Sequence, residues 1–502
     1  MKWTTTALGL LPSRRGFRLV RCLGGVFMLS ATMIVQGFAQ DALAPLKAHV
    51  AANPKGRALY SADLAKLGRG HHQDLPNLSD LPIGVFDSGI GGLTVLEALL
   101  SLDLVNNRTL KAGSDGVPDF AGERFIYLGD QANMPYGNYP AAGRTDYLRE
   151  LIMKDAIFLL GRRYHRTAGK PARFDKPPVK AIVIACNTGT AYGLEDIRIA
   201  LKEWGVDIPV IGVVEAGAEA VAELLPAGGP APSVGVLATV GTCASGAYPA
   251  AIAKAAARSG KAIPVVVQQG SVGLAGAIEG NPAFVTEAGA TSRPVPYQGP
   301  ALNAEVAQVG GLEPGQLLGD TLNTVLGYIR FDVASLMAGF RDQHPQAPPM
   351  GFVVLGCTHF PLVERDMAEA FRRTKAYRDG TGAQPFDSRL SKGLILVNPA
   401  EYSARALFRE MSARGLRRAS KSRVKPKVAG FYVTVPNPAA PGVVLGGDGA
   451  LDNAYRLGRA LGNFAQEDTA VVTLTPKNLP VTSRSLVQAL PKVWQTMKEQ
   501  HR

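Results

Sequence analysis

Four segments of the chain share one pattern of apolar and polar positions. In each of them a short apolar run predicts a strand, a loop of small and hydroxyl residues follows, and an amphipathic run then predicts a helix. The strand-like runs are Ile83 to Phe86, Ala181 to Ala185, Ser233 to Leu237 and Phe352 to Leu355. Strands that alternate with helices predict parallel sheets covered on both faces, with ligands bound at the carboxyl ends of the strands.

The second and fourth units each place a cysteine after the strand, so they look like two halves of a duplicated plan. A chain of 502 residues also exceeds what one hydrophobic core usually organises. The fold class we predict is therefore α/β, with two similar α/β domains whose mostly parallel sheets face an inter-domain cleft, plus a C-terminal extension. The expected boundaries are a signal peptide at 1–44, a first domain at 80–208, a second domain at 209–395 with an insertion at about 281–318, a return helix to the first domain and a basic linker at 396–425, and the extension at 426–502.

The C-terminal extension has a weaker pattern of its own. Phe431 to Val435 is strand-like, a glycine-rich turn lies near Gly446, and a helical pattern starts at about Asp452. These features predict a packed appendage, and they do not indicate a function.

Charge changes this picture little. The formal net charge is +13, but five basic residues precede the first acid, Asp41, and seven more crowd the segment from Arg414 to Lys427. Aromatic residues do not interleave with that segment as a base-stacking surface requires, which disfavours a nucleic-acid partner. We expect a solvated basic linker, with a patch that contacts an anionic envelope polymer or membrane surface as the alternative.

The first forty residues have the composition of a targeting segment. Basic residues precede an apolar run from Cys22 to Val35, and small residues follow at Gly37 to Ala39 and again at Ala42 to Ala44. Ser13 to Leu19 resembles the twin-arginine export signal, which directs folded proteins across the bacterial inner membrane. The sequence therefore predicts a periplasmic protein, and an uncleaved membrane anchor is the alternative.

Cleavage of that segment would leave Cys186, Cys243 and Cys357 in the mature chain, an odd number that requires at least one free thiol. Cys186 and Cys357 each stand where a strand ends and a helix begins, a position where backbone N–H groups favour a thiolate. Inversion of an α-carbon needs a base on one face and an acid on the other, and a thiolate and a thiol meet that need. One such cysteine alone is more often a small buried apolar residue. Two in matching loops favour the chemical interpretation.

Specific motifs surround these cysteines, and they resemble those of the glutamate racemases within the aspartate/glutamate racemase superfamily. The motifs are Gly84 to Val95, Gly129-Asp130 leading to Pro135-Tyr136-Gly137, Ala185 to Thr188, and Gly356 to Leu362. The resemblance covers about Pro82 to Glu410, with insertions. It implies a racemase that interconverts L- and D-glutamate, without a cofactor, for the supply of cell-wall precursors.

The resemblance also implies roles for individual residues. Cys186 and Cys357 would be the catalytic acid and base, Asp87 and His359 would assist the neighbouring thiols, and Glu279 would be a helper carboxylate. The residues implied to hold the carboxylates and the ammonium group of the substrate are Ser88, Pro135, Tyr136, Gly137, Asn187, Thr188, Thr242 and Thr358. The histidine after the second cysteine motif favours glutamate over aspartate. Gln131 and Asn133 depart from the usual residues after Gly129-Asp130.

Other functions stay open at this point. A racemase for aspartate or another amino acid is the nearest alternative, and a non-catalytic periplasmic receptor for acidic amino acids would also use a two-domain cleft. The expected partner is a small acidic amino acid; a homodimer and a weak contact with an anionic envelope surface are not decided by the sequence. We expect no metal, because the histidines show no spacing with acids or cysteines that is typical of a metal site.

Overall fold

The computed structural model describes residues 78–287, 289–418, 426–461, 468–479 and 481–500. The predicted signal peptide and the basic residues from 421 to 425 therefore lie outside the described residues. Within the described ranges, no helix is both long enough and apolar enough to cross a membrane.

The described strands form a six-stranded sheet, a four-stranded sheet and a two-stranded ribbon. In chain order the strands are β1 (Ile83–Asp87), β2 (Arg124–Gly129), β3 (Ala181–Ile184), β4 (Val210–Gly212), β5 (Ser233–Thr239), β6 (Val266–Ser271), β7 (Leu317–Leu318), β8 (Thr321–Leu322), β9 (Met350–Gly356), β10 (Leu390–Val397), β11 (Lys427–Pro436) and β12 (Thr469–Thr473). The described helices are α1 (Leu93–Ser101), α2 (Asn138–Ala141), α3 (Thr145–Leu160), α4 (Asn187–Glu203), α5 (Val213–Leu224), α6 (Val240–Ala244), α7 (Ala247–Arg258), α8 (Leu274–Ile278), α9 (Ala304–Gly310), α10 (Val325–Gln343), α11 (Glu364–Ala376), α12 (Pro399–Ala413), α13 (Asn453–Gly458), α14 (Val481–Gln488) and α15 (Pro491–Glu499).

The six-stranded sheet has the order β12-β11-β2-β1-β3-β4. All neighbouring pairs run parallel except β11 and β12, which are antiparallel. Alternate residues of a strand point to opposite faces, so Val85 packs in a core with α1, α12 and α15, whereas Phe86 packs in a core with α3 and α4. Both faces are buried, which explains why β3, and β1 from Ile83 to Phe86, have no polar residue.

The four-stranded sheet is wholly parallel and has the order β10-β9-β5-β6. On one face Val353 and Leu355 pack with α10 and α11, and on the other Phe352 and Val354 pack with α5 and α7. The helix α12 contacts both α5 and α1, and so it joins the layers of the two sheets. The predicted α/β class with two domains built on mostly parallel sheets is confirmed.

The C-terminal segment is an integral part of the first sheet, whereas the sequence suggested an appendage. β11 pairs in parallel with β2, from Lys427 beside Arg124 to Val433 beside Gly129. Without β11, the apolar strand β2 would leave an unpaired edge, so the segment completes the sheet. The helical pattern expected from about Asp452 is the short helix α13, and α15 packs against α1 and β11.

The described part of the basic segment is held against the first domain, which differs from the expected solvated linker. Arg417 donates to Asn107 Oδ1 at 3.0 Å, and its guanidinium lies over the ring of Phe408, 4.3 Å from the centroid. The backbone N–H of Arg418 donates to Glu123 Oε1 at 2.7 Å. Arginine side chains with carboxylate and aromatic partners are docked rather than free in solvent.

Candidate active site

Cys186 and Asp87 lie side by side because their strands do. β1 and β3 are parallel neighbours, so the loops that follow Asp87 and Ile184 leave the sheet at the same edge. Cys186 is the N-cap of α4, and its Sγ accepts a hydrogen bond from the Gly189 N–H at 3.2 Å. The thiol also lies 3.6 Å from Ser88 Oγ. The sulfur of Cys186 therefore has two polar neighbours, the Gly189 N–H and the Ser88 hydroxyl.

The carboxyl group of Asp87 organises the loop that follows β1. Its Oδ2 accepts from the N–H groups of Gly89 at 3.2 Å and Gly92 at 2.9 Å, while Oδ1 is buried without a hydrogen-bond partner. Burial raises the pKa of Asp87 above its ordinary value, and the hydrogen bonds from the loop, mainly from Gly92, oppose that rise. An unpartnered buried carboxyl oxygen beside a thiol is a group that can accept or hold a proton.

Burial also raises the pKa of Cys186 well above the ordinary value of a thiol. The nearby carboxyl of Asp87 adds to this rise, whereas the Gly189 N–H and the Ser88 hydroxyl oppose it. Cys186 is only 6% exposed, so solvent does not relieve the cost of a charge there. These surroundings favour the neutral thiol of Cys186 over the thiolate.

The second cysteine has a different charged neighbour. Cys357 follows β9, is also 6% exposed, and its Sγ lies 3.7 Å from His359 Nδ1. The other ring nitrogen, His359 Nε2, lies 2.8 Å from Glu279 Oε1. Cys357, His359 and Glu279 therefore form one buried row of thiol, imidazole and carboxylate.

The row favours a protonated imidazole. Burial on its own lowers the pKa of His359, but the hydrogen bonds with Cys357 and Glu279 and the charges of the same two groups outweigh it, and the pKa of His359 is raised well above the ordinary value. A positive imidazole next to sulfur stabilises a thiolate by charge attraction. The two cysteines thus sit in opposite electrostatic surroundings, with a carboxyl beside Cys186 and an imidazolium beside Cys357.

The raised pKa of His359 gives a prediction about stability and pH. Its contribution to the free energy of unfolding is fully present below the unfolded pKa near 6.5 and is lost as the pH rises through the higher folded value. Because Glu279 helps to raise that pKa, Glu279→Gln should destabilise the protein more at about pH 6 than at about pH 9. Urea unfolding at the two pH values checks this. Glu195→Gln, at an exposed carboxylate of α4, is the control and should show no such difference; an equal loss for Glu279→Gln at both pH values would contradict the charge pairing.

The loops after β1 and β9 touch each other across the domains. Thr94 Oγ1 donates to the carbonyl oxygen of Thr358 at 2.9 Å. A Cβ atom built on Gly91 would lie 2.4 Å from His359 Cε1 and 2.6 Å from Thr358 Oγ1, so only glycine permits this approach. Gly91 and Thr94 belong to the first motif, but the sequence analysis assigned them no individual role.

Tyr248 links the two cysteine loops from the other side. Its hydroxyl donates to Asn187 Oδ1 at 2.7 Å, next to Cys186. Its ring packs so closely on the loop before Cys357 that a Cβ on Gly356 would lie 3.0 Å from Tyr248 Cε2. The sequence analysis missed this residue as a site residue. A tyrosine at the start of a helix, with a hydroxyl that needs a partner once buried, was the available signal.

Threonine hydroxyls form a third contact between the domains. Thr188 Oγ1 lies 3.2 Å from Thr239 Oγ1 and 2.9 Å from Thr242 Oγ1, and the latter two are 3.0 Å apart. Gly137 packs against Gly241 so tightly that a Cβ on Gly241 would lie 2.6 Å from Gly137 Cα. Thr239, the N-cap of α6, is a second residue that the sequence analysis did not single out.

The structure thus brings most of the predicted site residues to one inter-domain region. Ser88, Asn187 and Thr188 lie around Cys186, Thr358 and His359 lie beside Cys357, and Gly137 and Thr242 lie at the contact between α2 and α6. Tyr136 is different, since its hydroxyl lies 2.6 Å from Asp130 Oδ2 and 2.7 Å from Asp155 Oδ2 inside the first domain. Pro135 precedes it after a cis peptide bond. The Tyr136 hydroxyl is therefore already engaged away from the cysteines. In the described ranges, no three His, Cys, Asp or Glu side chains group as metal ligands would.

Comparison with known proteins finds matches to one family of racemases. Residues 167–291 match the family model described as Asp/Glu/Hydantoin racemase. A glutamate racemase of Enterococcus faecalis is 36% identical over 170 residues, which cover 34% of this chain and 46% of that protein. A glutamate racemase of Limosilactobacillus fermentum is 34% identical over 208 residues, which cover 40% of this chain and 61% of that protein. The chain therefore spans about half of the length of the curated relatives that it matches.

Solved structures are more distant. A crystal structure of glutamate racemase from Francisella tularensis in complex with D-glutamate is 22% identical, with a TM-score of 0.39, over 71% of this chain and 89% of that one. A likeness of this size carries no argument about the site. Residues 167–291 of this chain thus match the model of the Asp/Glu/Hydantoin racemase family, and the curated relatives named above are glutamate racemases.

Proposed function

We propose that this protein interconverts L- and D-glutamate, without a cofactor, by proton transfer between the substrate α-carbon and the thiols of Cys186 and Cys357. One observation carries the proposal: cysteines from matching loops of two separate domains are joined through Tyr248, which contacts the loops of both. A non-catalytic receptor needs a cleft and polar groups, but it does not need a matched pair of buried thiols.

We infer the starting states of the two sulfurs from the charges around them. Cys357, beside the protonated His359, begins as the thiolate, and Cys186, beside the Asp87 carboxyl, begins as the thiol. The Cys357 thiolate takes the α-proton, and its S–H bond forms as the C–H bond breaks. The Cys186 thiol then gives its proton to the opposite face of the carbanion and is left as the thiolate. The reverse reaction starts from that second state, and the proton count is unchanged over a full cycle.

The region around the two cysteines also supplies groups that can bind the carboxylates and the ammonium group of the substrate. Asn187 and Thr188 open α4, and N–H groups at the start of a helix bind carboxylates. Ser88 lies in the glycine-rich loop that precedes α1, and its hydroxyl can donate a hydrogen bond to a second carboxylate. Thr188, Thr239 and Thr242 supply hydroxyl oxygens that can accept from an ammonium group. This arrangement suits a small amino acid with an acidic side chain.

The test is α-proton exchange. The purified full chain is mixed with L-glutamate in heavy water, and deuterium at the α-carbon and the appearance of D-glutamate are followed by NMR and chiral chromatography. We expect both, and addition of a chelator should not change the rate. Binding of glutamate without exchange would instead support the receptor. A panel that includes L-aspartate decides the substrate: faster exchange of aspartate than of glutamate would overturn the assignment to glutamate.

We also propose that the protein is exported to the periplasm by its twin-arginine segment. The support is the sequence alone, because residues 1–44 lie outside the described part of the chain. A reporter fused to these residues should be exported, and retention in the cytoplasm would end the proposal. We further propose a homodimer, which sedimentation tests. We also propose a weak contact of the Arg414 to Lys427 segment with an anionic envelope surface, which binding to anionic vesicles tests.

A further inference from the structure

A cavity of about 400 Å³ lies in the first domain, where the C-terminal segment joins it. Thr434, Asn437, Ala439, Thr469 and Val471 line one side of it, and α3 and the loop at 161–171 line the other. The cavity stands at the carboxyl ends of the parallel strands β2 and β11, the usual place for a ligand in an α/β sheet. Its volume lies within the range of about 300–1,000 Å³ that is typical of small-molecule sites.

The wall of the cavity is divided into an apolar part and a basic part. Leu151, Ile157 and Phe158 of α3 supply an apolar surface, and Leu128 and Val471 continue it. The loop at 161–171 and the adjacent turn of α3 add basic side chains, namely Lys154, Arg163 and Lys170. A ligand that matches this wall needs an apolar body and an anionic end.

Two acids also line the cavity, and they share one hydrogen-bond partner. Asp130 and Asp155 both contact the single hydroxyl of Tyr136, which has one proton to donate. Asp130 also accepts from Thr434 Oγ1 at 2.7 Å and from Asn133 Nδ2, so it is the better stabilised anion. Burial raises the pKa of both acids; the hydrogen bonds of Asp130 oppose the rise there, whereas the charge of Asp130 adds to the rise at Asp155, so Asp155 is the more readily protonated of the two. Among the described residues of the lining, the three Lys and Arg side chains outnumber the two acids.

We propose that this cavity is a binding site for a small organic anion with an apolar body, whose carboxylate or phosphate group lies near Lys170 and Arg163. The site is separate from the cysteine pair, since neither Cys186 nor Cys357 lines the cavity. It exists only because β11 and β12 close it, which gives the C-terminal segment a function in ligand binding. The hydrogen bonds of Tyr136 connect it to the loop that carries Pro135 and Gly137.

Calorimetric titration of the full chain tests the site. The probes are phenylacetate, phenyl phosphate and the neutral phenylacetamide, which share one apolar ring and differ in the polar end. We expect at least one anion to bind saturably, with a Kd about tenfold or more below that of the amide. The comparison of the two anions shows whether a carboxylate or a phosphate is preferred. No saturable binding of either anion, or equal binding of the amide, would overturn the proposal.

Substitutions in the lining test whether the probe binds in the cavity. Lys170→Glu reverses an exposed charge of the lining, and Ala439→Trp puts a bulky ring at its exposed side, so each should weaken binding by about tenfold. Lys392→Glu makes the same charge change on exposed β10 in the second domain and should leave the Kd unaltered. Excess glutamate should not displace the probe. Displacement by glutamate, or unchanged binding in both cavity variants with a normal unfolding transition, would show that the probe binds elsewhere.

Discussion

Cys186→Ala and Cys357→Ala should each lower the rate of glutamate racemisation by about a thousandfold or more, because each removes the group that we propose moves a proton on one face of the α-carbon. The two variants should differ in α-proton exchange. In Cys186→Ala the thiolate of Cys357, with His359 still beside it, can take and return a proton on its own face. We therefore expect deuterium incorporation into one enantiomer without inversion.

The third free cysteine gives a matched control for this experiment. Cys243 lies in α6 outside the two cysteine loops, and its alteration to alanine removes a thiol of the same protein. Cys243→Ala should racemise glutamate at the unaltered rate. If either Cys186→Ala or Cys357→Ala retained a rate within about tenfold of the parent protein, proton transfer by two thiols would be wrong.

Gly91→Ala should lower kcat by about a hundredfold, the second largest effect that we expect. The added methyl carbon would lie 2.4 Å from His359 Cε1 and 2.7 Å from His359 Nδ1. The ring cannot simply turn away, because its Nε2 is held by Glu279 at 2.8 Å. His359 and Thr358 must therefore shift, and a displacement of about 1 Å in a catalytic site typically costs about a hundredfold in rate.

Steady-state kinetics with both enantiomers measures this effect. Gly393→Ala is the control, since a Cβ atom there meets nothing within 4 Å and the position lies in the exposed part of β10. It should leave kcat unaltered. If Gly91→Ala lowered kcat by less than about twofold while the protein stayed folded, the close contact of the first loop with His359 would not belong to the active arrangement.

Much of the fold was predictable because local patterns and global structure agree. The apolar runs before Asp87 and Cys186 were predicted as strands and are strands in the structure. A strand that is buried on both faces is a continuous apolar run, which is easily recognised in a sequence. The C-terminal segment was harder to interpret. Phe431 to Val435 is strand-like in sequence, but no local pattern states that its partner is β2, some three hundred residues earlier in the chain.

The same distinction holds for the site. Their place at strand ends marked Cys186 and Cys357, because this is a local property, whereas the roles of His359 and Glu279 were implied by the resemblance to a known family. Tyr248 and Thr239 were not marked, since their roles depend on partners from the other domain. A hydroxyl group shows its function only when its partner is known.

The sequence by itself determined the alternation of strands and helices, the two cysteines at strand ends and the family to which their motifs are similar. These follow from side-chain periodicity and from residue types that are close together in the chain. Only the tertiary structure decided that a carboxyl group lies beside one thiol and an imidazolium beside the other, that Tyr248 joins the two loops, and that the C-terminal strands close a second cavity. Each of these depends on distances between residues far apart in sequence, and such distances are set by how the sheets and helices pack.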